Sequence, residues 1–194
     1  MPSGSRLIPV GRPGVGGSEY YVAYRRRIEL VAADDALWAK QPYHAAEGLH
    51  GDAARDLVAR GVDAARRSAV REMRAALSRS HELGHEIVAC AVLVPDPMPD
   101  WSTDEILAVH FRMHKAEGVL FPDVLVRGAA ACELSVVVIP EKRLGEYAET
   151  SLARPISRLM KEIEALGKSV GAPWGKDQKS GALAAMIGLH AKRQ

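Results

Sequence analysis

The sequence predicts an α/β domain with a mixed sheet, in which an N-terminal antiparallel hairpin is followed by alternating helices and parallel strands. Two nearly continuous apolar runs, residues 86–94 and 134–139, are each followed by a proline and are typical of buried strands. A segment with helical periodicity separates them, as expected of a crossover between parallel strands. Two short runs rich in Tyr, Val and Ile, residues 19–24 and 28–32, predict the hairpin. The same order of elements also fits a ribonuclease-H-like layout.

The helices are predicted from apolar spacing and from capping residues. Apolar side chains recur every three or four positions over residues 52–83, and Gly84 stands where a helix-terminating glycine belongs. Ser102 and Glu105 occupy capping-box positions and predict a second helix, which continues past residue 121 to about residue 132. Two more helices are expected around residues 151–166 and 177–191.

Length and composition favour one domain and exclude several functional classes. Of 194 residues, 26 are basic and 24 acidic, and this balance gives no reason to expect a nucleic-acid partner. The chain has neither an apolar signal segment nor a stretch long enough to span a membrane, so we expect a cytoplasmic protein without a membrane partner. We expect residues 1–18 to form a flexible, glycine-rich N-terminal segment and residues 19–194 the single α/β domain.

Three side chains of the predicted crossover helix form the strongest candidate site. At about 100° per residue, His110, His114 and Glu117 point in nearly the same direction. The apolar residues that share this direction within about 60° are Ile106, Leu107, Met113 and Phe121. The pattern therefore predicts that all three polar side chains face the sheet. Buried imidazole and carboxylate groups need partners, a solvent-filled cleft or a bound ion.

The trio supports three interpretations, which stay open at this point. The side chains could satisfy one another in a structural network, line a cleft for acid–base catalysis or ligand binding, or hold a metal ion such as zinc or manganese. His110 and His114 are four residues apart, the spacing at which two helical imidazoles can share one ion. Glu117 lies about 10 Å along the axis from His110, so Asp96 or Asp100 beyond the first apolar strand is a better further ligand.

A short sequence echo adds two candidates. His44-Ala45-Ala46-Glu47-Gly48 and His114-Lys115-Ala116-Glu117-Gly118 agree at four of five positions. One interpretation is that His44 and Glu47 approach the same cleft, and the other is coincidence in an alanine-rich chain.

Two lysines near the predicted start of the last helix form another candidate site. Lys176 and Lys179, with the free N–H groups of the helix start, could hold a phosphate or carboxylate. The alternative is that both are solvated lysines beside a capping Asp177.

Two stretches resemble segments of uncharacterised bacterial proteins: His110–Leu125, with its Met-His-x-Ala-Glu-Gly-x-Leu-Phe run, and Pro173-Trp174-Gly175-Lys176-Asp177-Gln178-Lys179. The resemblance implies a bacterial family and no particular reaction.

These features favour a His/Glu-lined cleft at the carboxyl ends of the strands, with acid–base or metal-assisted hydrolysis of a small substrate, phosphorylated or not. The cofactor would be a divalent metal ion and the partner a small-molecule ligand. The alternatives are a non-catalytic binding or homodimeric assembly module with a buried His–His–Glu network, and a ribonuclease-H-like nucleic-acid enzyme. Against the second alternative, the sequence has no obvious counterpart of the acidic residue that such nucleases carry on their first strand.

Overall fold

The computed structural model describes residues 4–7, 10–11, 20–24, 26–30 and 40–191. The chain is a mixture of strands and helices, as predicted, with helices forming most of it. Its strands are β1 (Gly4–Leu7), β2 (Val10–Gly11), β3 (Tyr21–Val22), β4 (Arg26–Glu29), β5 (Ala89–Val94) and β6 (Ser135–Pro140). Its α-helices are α1 (Pro42–Ala45), α2 (Gly51–Glu82), α3 (Thr103–Leu107), α4 (His110–Ala130), α5 (Leu144–Leu152), α6 (Ile156–Val170) and α7 (Lys176–Ala191).

The N-terminal strands pair differently from the predicted hairpin. β1 pairs with β4 and β2 with β3, both antiparallel, so residues 19–24 and 28–32 do not pair with each other. The sequence between β3 and β4 contains no Gly, Asn or Asp to make a tight turn. β1 and β2 also fall within the segment predicted to be flexible, most of which lies outside the described residues. Gly11 is required here because a Cβ atom would lie 2.5 Å from the Tyr21 ring.

The two apolar runs form β5 and β6, which pair in parallel from Ala89 opposite Ser135 to Val94 opposite Pro140. α4 lies between them in the chain, which confirms the predicted crossover. Most side chains of both strands are half-buried, and Val92 and Ile139 are the buried ones. Over the part of the chain that is described this sheet has only two strands, so a ribonuclease-H-like layout is not confirmed.

The long helix α2 and the capping box at the start of α3 agree with the sequence pattern. α2 ends at Glu82, two residues before Gly84, which has a φ of 75°. The Ser102 side chain accepts the Glu105 N–H, and Glu105 accepts the Ser102 N–H. The helix expected over residues 151–166 is instead divided between α5 and α6, because Ala153 is left-handed with a φ of 50° and Pro155 follows it closely.

The predicted burial of the histidine-bearing face is wrong for two of its three polar residues. The predicted helix is interrupted at residues 108–109, so Ile106 and Leu107 belong to α3 and do not share the helical phase of α4. The buried face of α4 runs through Met113, Ala116, Glu117, Leu120 and Val124. His110 and His114 are exposed, and only Glu117, at 7% exposure, is buried.

Among the described residues, three apolar clusters hold these elements together. The largest surrounds α5, α6 and α7 against the strands, and a second joins α2 to α4. The third lies at the start of α4, where Tyr43, Met98 and Trp101 pack against Ile106 and Met113. Within the described ranges, no helix combines the length and apolar character needed to cross a membrane.

Candidate metal centre

Three imidazoles converge at the start of α4. His110 and His114 lie one turn apart on this helix, and His44 comes from α1. The ring centroids are 4.4 Å apart for His44 and His114, 4.7 Å for His110 and His114, and 5.2 Å for His44 and His110. One ring nitrogen from each lies within 4.8 Å of the other two, an arrangement that could hold a metal ion.

The position of His44 depends on the close approach of α1 to its neighbours. α1 contacts both α2 and α4. Its first residue, Pro42, is buried against Gly61 of α2, where an added Cβ atom would lie only 2.5 Å from the Pro42 Cβ. Gly61 therefore allows the short helix to lie close enough for His44 to reach α4.

Glu117 fixes the orientation of the His44 ring. Its Oε2 atom lies 2.8 Å from His44 Nδ1, and its Oε1 atom accepts the His44 backbone N–H at 3.2 Å. The carboxylate can only accept, so Nδ1 carries the ring proton and Nε2 presents a lone pair. His44 Nε2 is buried and has no hydrogen-bond partner. Because buried polar atoms normally have a hydrogen-bond partner, we expect this nitrogen to bind another group.

Glu47 plays a similar but looser part for His110. Its Oε1 atom lies 3.3 Å from His110 Nδ1, and both side chains are more than half exposed. His110 Nε2 in turn shares a hydrogen bond with His114 Nε2 at 3.1 Å. Glu117 of the second echo segment thus holds His44 of the first, whereas Glu47 contacts His110, which precedes the second segment by one turn.

The separation of His110 and His114 fits two ligands of a tetrahedral ion. Two nitrogens bound at 2.0–2.1 Å to a tetrahedral zinc ion are about 3.3 Å apart, and the Nε2 atoms of His110 and His114 are 3.1 Å apart. Three histidine ligands leave a fourth position for water or substrate, the pattern of catalytic zinc. Carboxylates that accept the other ring proton of each ligand are typical of such centres.

The acidic residues beyond β5 do not join this cluster. Asp96 accepts a hydrogen bond from Lys142, and Asp100 is exposed. Their connecting segment instead contributes Met98 and Trp101 to the apolar cluster below α4. The group that the structure brings to the histidine pair is His44, which the sequence echo indicated.

Lys176 and Lys179 of α7 border the same cavity of about 410 Å³, and the anion site predicted there stays a prediction. Lys176 Nζ lies 3.9 Å from Glu141 Oε1, and Lys179 Nζ contacts Glu164 Oε1. Both ammonium groups therefore face carboxylates from other elements.

Tyr43 is a neighbour of the centre that the sequence analysis missed. Burial, and secondarily the negative charge of Glu117, raise the pKa of its phenol, while Arg66 acts in the opposite direction. Its only sequence signal was its place beside His44.

A separate cavity of about 150 Å³ lies where β5 begins, away from the histidines. Small residues of α2 and α7 form much of its wall, and Cys90 borders it. Burial raises the pKa of the Cys90 thiol to about 11, which makes it a poor nucleophile. Cys90 is therefore a poor candidate for a catalytic nucleophile at this cavity.

The resemblance to bacterial proteins stays a prediction. Comparison with known proteins found no matching family model, curated protein or solved structure.

Proposed function

We propose that this chain binds one divalent transition-metal ion through the Nε2 atoms of His44, His110 and His114, and uses it to hydrolyse a small substrate. The observation that carries the proposal is the buried, unpartnered Nε2 of His44, which faces two further imidazoles. Three imidazole ligands favour zinc over manganese, which prefers oxygen ligands.

Each nearby residue has a distinct part in this proposal. An ion held by three histidines retains a position for water and lowers the pKa of that water to about 7. His44 donates two hydrogen bonds to the buried Glu117, which orient its ring, and its Nε2 atom is buried. His110 and His114 are exposed, so the site opens towards solvent on their side.

The metal content of tag-free protein tests the proposal directly. We expect one zinc per chain after dialysis against micromolar zinc. At 100 times the dissociation constant, zinc should stabilise the fold by about 2.7 kcal/mol, which raises Tm by roughly 5–11 °C for a chain of this size. Because imidazole must be neutral to bind metal, zinc should be released as the pH is lowered.

Substitution of the ligands provides the matched comparison. His44→Ala and His114→Ala should each abolish the zinc-dependent rise in Tm. His81→Ala, at an exposed position of α2, should leave the rise unchanged. Equal zinc binding by His114→Ala and the unaltered chain would refute the proposed ligand set.

A second candidate function is a non-catalytic module in which the His–Glu contacts are structural. The hydrogen bond from the His44 backbone N–H to Glu117 favours it, because this bond attaches α1 to α4 without any ion. A chain that binds no zinc but loses stability when Glu117 is replaced would support this alternative. The homodimer expected with it can be measured by sedimentation.

A further inference from the structure

The direction from which a substrate can reach the histidines follows from where α1 lies. Measured around the α4 axis from His114, His110 and Glu117 lie about 40° and 60° to one side. Both contact the segment that contains His44 and Glu47, so this side is covered. The opposite side, at about 40° and 60°, carries Gly118 and Phe111. Both residues are exposed.

On the basis of the proposed metal centre, we infer that the exposed strip formed by Phe111 and Gly118 binds the apolar group of the substrate. The hydrolysable group of the same substrate then meets the metal beside His114. The substrate class is an ester or amide with a phenyl-sized or short alkyl acyl group. Phe111 and Gly118 are seven residues apart, about 10 Å along the helix, and His114 lies between them in the chain.

Gly118 has no structural reason to be glycine. It lies within α4, shows no positive φ, and has no atom within 4 Å of an added Cβ, so neither backbone conformation nor packing requires it. The ring of Pro122, one turn later, is also outside that distance. The corresponding glycine of the other echo segment, Gly48, differs because its φ of 80° requires glycine. Glycine within a helix is destabilising relative to alanine, so a position of this kind suggests another role.

The missing side chain at position 118 leaves the surface next to His114 uncovered. Helical side chains lean towards the N-terminus and cover the turn that precedes their own Cα. A side chain at Gly118 would therefore lie over the surface beside His114, four residues earlier. The glycine keeps a path to the fourth metal position open.

Phe111 supplies an apolar wall for the same path. At 71% exposure, it is the most exposed large apolar side chain in the described part of the chain. It lies one turn before His114 on the uncovered side of the helix. An aromatic ring left in water beside an open coordination position is suited to bind an apolar group that the metal holds in place.

The test compares two metal-binding probes on zinc-loaded protein by titration calorimetry. Acetohydroxamic acid and benzohydroxamic acid present the same metal-binding group and differ only in methyl or phenyl. We expect the unaltered chain to bind the phenyl compound about tenfold more tightly. Phe111→Ala and Gly118→Leu should reduce this ratio to below threefold while retaining one zinc per chain. Leu83→Ala, an exposed apolar position at the end of α2, is the matched control and should leave the ratio unchanged.

Each outcome decides between the two proposals. An unchanged ratio in Phe111→Ala and Gly118→Leu, with zinc bound, would overturn the apolar strip and leave the metal centre intact. Zinc-loaded protein that binds neither hydroxamate would also overturn the strip, because no open path would then exist. A chain that takes up no zinc would overturn the proposed function and this inference with it.

Discussion

Replacing Glu117 by Gln should change which nitrogen of His44 carries the proton. The carboxylate accepts from both the backbone N–H and Nδ1 of His44, so both its oxygens are used. Glutamine has one acceptor oxygen and one amide that can only donate. If the oxygen keeps the backbone N–H, the amide faces Nδ1, which must then accept. The ring proton moves to Nε2 and blocks the nitrogen that would bind the metal.

The size of the effect follows from the burial of Glu117. Loss of a carboxylate that orients a metal-bound histidine typically weakens metal affinity 10- to 100-fold, or about 1.4–2.8 kcal/mol. Without metal, the variant exchanges two hydrogen bonds to a charged carboxylate for two that involve a neutral amide, a loss of about 1 kcal/mol for each bond and about 2 kcal/mol for both. For a chain of this length, that loss lowers Tm by about 4–8 °C.

The assay is competition for zinc against a chromophoric chelator, together with thermal unfolding of the metal-free protein. Glu47→Gln is the matched control, because Glu47 makes a similar contact to His110 but its side chain is 55% exposed. Water can replace that contact, so we expect a change in zinc affinity of less than about threefold. Equal zinc affinities for Glu117→Gln and the unaltered chain would refute the orienting role of Glu117.

Other predictions concern the rest of the fold. At pH 8, iodoacetamide should modify Cys132 well before Cys90. Burial raises the pKa of the Cys90 thiol to about 11, so about one Cys90 side chain in a thousand is a thiolate at this pH. Equal rates of modification in the folded protein would contradict this. Gly128→Leu should destabilise the chain by roughly 1–3 kcal/mol in urea unfolding, because even a Cβ there lies 3.1 Å from the Ala69 backbone. Gly118→Ala, with open space around it, should instead stabilise the chain by about 0.5–1 kcal/mol, and a loss of stability would show that this glycine has a packing role.

The sequence predicted the elements that depend on local pattern. The span of α2, the capping box at Ser102 and the parallel crossover all follow from apolar spacing, capping residues and prolines, whose effects act within a few residues. The pairing of the N-terminal strands was not predicted because it joins segments more than ten residues apart. The sequence pattern wrongly predicts that His110 and His114 are buried. It places Ile106 and Leu107 in phase with a helix that begins only at His110.

The candidate site could be predicted in part. The spacing of His110 and His114 indicated a shared ion, and the repeated His-x-Ala-Glu-Gly pattern indicated His44 and Glu47. The contacts of Glu117 with His44 and of Glu47 with His110 could not be predicted, because they depend on how α1 packs against α2 and α4. The place of Asp96 after β5 predicts it as a further ligand, but the structure pairs it with Lys142 and brings His44 to the histidine pair instead.

The helix that carries His44 is only four residues long. A single helical turn does not persist by itself in water, so α1 keeps its shape only while it remains attached to the longer helices. If α1 detaches from α2 and α4 for part of the time, all three histidine ligands are in place only in the molecules whose α1 is attached. The apparent dissociation constant for zinc is then inversely proportional to the fraction of molecules with α1 attached. Weakened contacts between Pro42 and Gly61, remote from the imidazoles, would therefore reduce metal affinity without altering a ligand.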